Sequence, residues 1–177
     1  MIELNLDLII SELGGTLLTD GKSFEDDAKK KAAQLTGSNI DYLISKLHNP
    51  PVVDSRINEQ QLGLGQWMAV CQYFIFELIY NVEPQPLELL KRFAFGEYDW
   101  TQATALEVIC RMYINGKISY NIVEEIDKNL GSMRYETHLY FAQGMLARAN
   151  KEDRFGDILN KITNTDFQNA VKEISEK

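Results

Sequence analysis

The chain has 177 residues, enough for a well-buried core, and 45% of them are hydrophobic, which excludes a disordered chain. Lys and Arg number 18 against 26 Asp and Glu, a net charge of −8. That sign works against phosphate-backbone binding and anionic membranes and favours a basic partner. With only four prolines and abundant Leu, Ile, Ala, Glu and Lys, the composition favours helix.

In chain order, the first predicted helix runs from about Leu4 to Leu13 or Leu18. Leu6, Ile9, Ile10, Leu13 and Leu17 share one face, and Gly14-Gly15 ends or bends it. The start, Met1-Ile2-Glu3, carries an acid where a secretion signal carries Lys or Arg, so a cytoplasmic location is expected. Ser23 caps a second helix to about Thr36, with a thin stripe of Phe24, Ala28, Ala32 and Leu35. Gly37 stops that helix, and Asn39 caps a short third one carrying Ile40, Leu43, Ile44 and Leu47. Pro50-Pro51 then forces extended chain, and residues 49–57 read as a loop.

The fourth helix, about Glu59 to Tyr80, is apolar nearly all round. Trp67, Val70, Cys71, Phe74, Ile75, Leu78, Ile79 and Val82 make one stripe, with Met68, Phe76 and Tyr80 beside it, as expected of a central helix. Gln66, Gln72 and Glu77 interrupt it, which argues for burial in protein over a membrane span. The fifth helix runs from about Pro86 to Phe95, packing with Leu87, Leu90 and Phe93 or Ala94. Asp99 or Thr101 caps the sixth, which reaches about Ile114 before an Asn115-Gly116 turn. The seventh, capped by Ser119, turns Ile122, Val123, Ile126 and Leu130 inward and stops at Gly131. The eighth, about Arg134 to Ala149, carries Leu139, Ala142, Leu146 and Ala149 as its stripe, with Gly144 placed for close helix approach. The ninth, about Glu152 to Ile162, uses Phe155, Ile158, Leu159 and Ile162. Thr165 caps a terminal helix with Phe167, Ala170, Val171 and Ile174.

The expected fold is all-α, about ten helices in one domain over 1–177. Residues 1–48 serve as an N-terminal cap and 165–177 as a C-terminal one. Between them the helices read as antiparallel pairs, fourth with fifth, sixth with seventh, eighth with ninth. Val70-Cys71 and Ile109-Cys110 stand at matching places 39 residues apart. On helix length and pairing over 59–162, the chain resembles HEAT-like α-solenoids, and an irregular helical bundle is the alternative architecture.

No reaction motif emerges. His48 and His138 lack ligands at metal-binding spacing, and His138 is expected to be partly exposed and inert. Cys71 and Cys110 lie mid-helix among Val, Ile and Phe, where thiols are inert, and a disulfide scaffold is not indicated. No Gly-x-Ser-x-Gly elbow or phosphate loop occurs. No catalytic, metal or cofactor residue is therefore assigned.

The charge is uneven. Residues 1–22 carry −3, 23–50 balance at 0, 51–100 carry −4 and 101–177 carry −1. Within the most acidic stretch, Phe93-Ala94-Phe95-Gly96-Glu97-Tyr98-Asp99-Trp100 alternates rings with carboxylates. Tyr and Trp anchor interfaces, and neighbouring carboxylates pair with Lys or Arg across them. The predicted contact residues are Asp54, Glu83, Glu88, Glu97, Tyr98, Asp99 and Trp100, with Tyr98 the ring expected to be free. The competing reading packs Phe93 and Trp100 between helix pairs. In type, a small acidic helical protein without catalytic motifs is similar to the immunity proteins of contact-dependent growth inhibition systems. That resemblance implies a non-enzymatic inhibitor bound to a basic toxin domain, such as a nuclease. A HEAT-like scaffold or adaptor is the second reading. The third is a glycosylase with Arg111, Lys117, Arg134 and Arg148 on a basic groove, which the acidity opposes.

Overall fold

The computed structural model describes residues 5–19, 23–52 and 64–176. The expected helix starts at Leu4 and Glu59, the acidic N-terminal residues, Asp54 and most of the 49–57 loop lie outside them. The described residues form ten α-helices and no strand, so the chain is all-α as expected. They divide into two compact units, residues 1–86 and 87–177, and the division falls between the fourth and fifth helices.

In the first unit, α1 (Leu6–Thr19), α2 (Phe24–Ala32) and α3 (Gly37–Ser45) pack on α4 (Leu64–Asn81). Because α4 meets helices on several sides, its apolar surface is used nearly all round. Trp67, Cys71, Phe74, Ile75, Phe76, Leu78, Ile79 and Val82 are all buried. No helix among the described residues is long and apolar enough to cross a membrane. Phe24 of α2 lies against Phe74, with ring centroids 4.8 Å apart and tilted.

Gly14 and Gly15 do not end α1, which continues to Thr19. A glycine inside a helix costs about 1 kcal/mol against alanine, and here close approach explains one of them. A Cβ on Gly14 would fall within the Trp67 ring. That indole is 1% exposed, and its N–H donates to the Pro51 carbonyl at 2.7 Å. Gly37 is the first residue of α3 instead of a stop signal. Thr36 stands at the N-cap, and its backbone N–H donates to Asn39 Oδ1 at 2.8 Å, so Asn39 acts from inside the first turn. Among the described residues, Lys31 pairs with Glu12 and Lys46 with Asp7 across this unit.

The second unit contains α5 (Leu87–Phe95), α6 (Gln102–Ile114), α7 (Ile122–Leu130), α8 (Tyr135–Ala149), α9 (Asp153–Lys161) and α10 (Thr165–Ser175). α6 packs against α5, α7, α8 and α9, and α8 lies between α6, α9 and α10. Within this unit α5 packs against α6. α7 begins after Asn121, two residues beyond the expected Ser119 cap, and α10 is capped by Asn164, whose Oδ1 accepts from Phe167 N–H at 3.0 Å. Gly116 takes a φ of 69°, the left-handed turn conformation that glycine permits.

The inward face of α8 differs from the expected one. Thr137, His138, Phe141, Ala142 and Met145 are buried, whereas Leu139, Leu146 and Ala149 are half-buried. His138, expected to be partly exposed, is 1% exposed, and its Nε2 lies 3.0 Å from the Leu130 carbonyl oxygen. The Thr137 hydroxyl and the Nε2 of His138 find hydrogen-bond partners inside, which hydropathy alone does not register, while the buried His138 Nδ1 has none among the described residues.

α6 and α8 are also joined by Glu107 and Arg148, an ion pair with side chains 15% and 19% exposed. The Glu107 carboxylate occupies the space above Gly144, so this glycine does permit a close approach. Asp127 of α7 clips the α9–α10 connection. Its carboxylate accepts from Thr163 N–H and Asn164 N–H, both at 2.8 Å, and from the Thr163 hydroxyl at 2.7 Å. Burial pushes its carboxyl up, and these three hydrogen bonds outweigh that and hold it below the usual aspartate value.

Candidate functional site

The predicted contact residues separate by unit. Glu83 belongs to the first, is exposed, and accepts a hydrogen bond from Gln85 Nε2 at 2.7 Å. Glu88, Glu97, Tyr98, Asp99 and Trp100 belong to the second and lie on or just after α5. Asp54 falls outside the described residues.

The chain between α5 and α6 is fixed from inside by polar side chains. Asp99 Oδ1 accepts from the backbone N–H and hydroxyl of Thr101, at 2.9 and 2.6 Å, which fixes the turn leading into α6, whose N-cap residue is Thr101. Gln102, only 2% exposed, donates through Nε2 to the Gly96 carbonyl at 3.2 Å and accepts from the Thr137 hydroxyl at 2.8 Å. A buried chain of hydrogen bonds thus runs from the turn through α6 to α8. With Thr101, Gln102 and Ala103 turned inward, Glu97, Tyr98 and Trp100 face solvent.

Trp100 is 68% exposed, and Tyr98 is 40% exposed. The expectation that Tyr98 would be the freer ring is reversed. The Arg134 guanidinium, at the start of α8, lies over the Tyr98 ring with its central carbon 4.2 Å from the centroid. At an exposed site such a cation–π contact contributes about 0.5–1 kcal/mol. The packing of Trp100 between helices, the competing expectation, is not seen within the second unit. Phe93 and Phe95 are half-buried, so these two rings do contribute to packing.

Beside this corner, Glu88, Lys91, Arg92, Phe95, Gly96 and Glu125 line an open groove of about 550 Å³. Lys91 pairs with Glu125 at 2.8 Å and lies 5.2 Å from the centre of the Tyr120 ring. Bonding to Glu125 and then to Tyr120 holds its ammonium above the usual lysine range. Further rings of the second unit are exposed: Tyr120 at 42%, Tyr135 at 41% and Tyr140 at 59%. Tyr135 donates to Glu173 at 3.0 Å. Sequence reasoning missed Tyr135 and Tyr140 because a tyrosine in an amphipathic helix reads equally well as core. It missed the Arg134 contact because nothing local joins residues 98 and 134.

Of the residues named for a basic groove, Arg111 is buried, Arg148 is paired with Glu107 and Arg134 lies on Tyr98. Lys117 is exposed. Cys71 and Cys110 are buried thiols, and burial pushes Cys71 up to about 12 and Cys110 upward as well. Thiols in that state are poor nucleophiles. Among the described residues, no group of three His, Cys, Asp or Glu side chains could hold a metal ion. The corner between α5 and α6 presents two exposed rings, Tyr98 and Trp100, with the exposed Glu97 next to them in the chain. Comparisons with protein-family models, curated proteins and solved structures found no match for this chain.

Proposed function

We propose that this is an immunity-type protein that binds and neutralises a cognate toxin domain of basic character, using the acidic-aromatic corner between α5 and α6. The observation that carries the reading is Trp100, a large ring 68% exposed at a turn whose neighbours hold it outward. Leaving such a ring in water forgoes on the order of 2 kcal/mol of burial, and a partner that covers it recovers that free energy. Trp and Tyr at the centre of an interface each account for about 2–4 kcal/mol when truncated. Glu97 and Glu88 stand exposed beside the rings, and the net charge of −8 would steer a basic protein toward the surface.

The test is co-purification of the full chain with the C-terminal domain of the protein encoded next to it, together with growth rescue of cells expressing that domain. A tight complex and restored growth are expected. Trp100→Ala and Glu97→Lys should each weaken the complex by tenfold or more while leaving the circular dichroism unchanged. Absence of a complex, or of rescue, overturns the reading. A complex that both substitutions leave intact removes the corner as its site.

A further inference from the structure

We infer that the Tyr98 ring is a seat for an arginine side chain, occupied in the free protein by its own Arg134 and taken over by an arginine of the partner. The inference rests on the reading of the α5–α6 corner as a contact surface and specifies what that surface selects.

The stacked pair supplies the first ground. A guanidinium carbon 4.2 Å above the centroid is in face contact with the ring. A planar, weakly hydrated cation prefers that geometry, and an ammonium matches it less well. The state of Arg134 supplies the second. Arg148 and Arg154 each pair with a glutamate, but Arg134 makes no ion pair among the described residues, and its side chain is held by the ring. It stands at the N-terminal end of α8, where the helix dipole disfavours a cation. Its release therefore breaks one exposed contact and leaves no buried charge behind. The surroundings supply the third. Tyr98 is 40% exposed with Arg134 in place, and Glu97 and Glu136 are exposed nearby in the chain to each member of the pair. An incoming guanidinium meets a ring face whose chain neighbour Glu97 is exposed and makes no ion pair with Arg134.

The test uses the full chain and two labelled probes, nona-arginine and nona-lysine, with affinity read by fluorescence anisotropy at low ionic strength. Wild type should prefer the arginine probe. Arg134→Gln should tighten that probe about two- to fivefold, the equivalent of one exposed cation–π contact, and tighten the lysine probe less. Tyr98→Ala should abolish the preference, and Arg134→Gln in the Tyr98→Ala background should then affect both probes alike. Tyr98→Phe keeps the ring face and should behave as wild type, which separates loss of the seat from loss of the fold.

Failure of wild type to bind the probes, equal tightening of both by Arg134→Gln, or a gain for arginine that survives Tyr98→Ala would each overturn the inference. Equal tightening would assign the effect to net charge, and a gain that survives Tyr98→Ala would place the arginine preference away from this ring. A toxin complex that forms despite such a result would leave the immunity reading standing without the seat. Arginine selectivity without a toxin complex would leave the seat and remove the toxin.

Discussion

Two tryptophans set the first unit against the second. Trp67 is enclosed by α1 and α4, touches the site of Gly14 and bonds to Pro51, whereas Trp100 stands 68% exposed at the entry to α6. The wider pattern follows them. Among the described residues, the exposed large apolar side chains of the first unit are Leu8, Tyr42 and Val52. Those of the second are Tyr98, Trp100, Tyr120, Tyr135 and Tyr140, every one a ring with a polar atom. The first unit buries Trp67, Phe24 and Phe74 in a mainly apolar core, while the second buries Gln102, Thr137 and His138 among its apolar side chains. Burying polar groups requires partners for them. In the second unit Gln102, backed by Thr137, holds the α5–α6 turn, and the turn displays Tyr98 and Trp100. Buried polarity at this one turn is thus what keeps Trp100 in water.

The largest effect that would sharpen the contrast comes from truncating the two tryptophans. Trp67→Ala should cost about 3–5 kcal/mol in urea denaturation, and Trp100→Ala within about 0.5 kcal/mol of nothing. Comparable losses from both would erase the distinction between a packing ring and a binding ring. Next is Gly14→Ala, which gains about 1 kcal/mol of helix propensity but pushes a methyl into the Trp67 ring. Net destabilisation of about 1–3 kcal/mol is expected, and an increase in melting temperature would show that the indole moves aside freely.

In the second unit, Asp127→Asn should cost about 1–2 kcal/mol at neutral pH, because it weakens charge-assisted bonds at a partly exposed site. The folded carboxyl is depressed, so its contribution is present above the unfolded value of about 3.9 and fades as pH falls through the lower folded value. Wild type and variant should therefore converge in stability in acid. A gap that stays constant from pH 7 to about pH 2 would show that the carboxylate charge has no part in it. The smallest effect should come from Gly144→Ala, where the new methyl meets the movable end of Glu107 and not backbone. Displacing that carboxylate from Arg148 offsets the helix propensity gained, and the net change should stay within about 1 kcal/mol.

Helix number and order were legible in the sequence because apolar periodicity runs strongly through α4, α6, α7 and α9. Phe155, Ile158 and Leu159, for instance, are buried at the expected spacing. The face of α8 was not, since its inward stripe begins with Thr137 and His138, and only a tertiary partner makes those residues acceptable inside. Gly14 and Gly37 misled for a related reason. Glycine marks a helix end by propensity, yet it also serves where another ring approaches or where Thr36 and Asn39 start a helix. Of the candidate site, the alternation of rings and carboxylates was visible, and of the two cap candidates Thr101 takes the N-cap while Asp99 braces it. The partnership of Tyr98 with Arg134 spans 36 positions and leaves no local trace.

The placement of the two cysteines gives each half of the molecule its own clock. Cys71 lies wholly inside α4 and Cys110 wholly inside α6, one per unit, and burial keeps both in the unreactive thiol form. A neutral alkylating reagent can reach either sulfur only when its surroundings open. The mass added at position 71 or 110 therefore timestamps the opening of one unit independently of the other, with no label engineered into the chain.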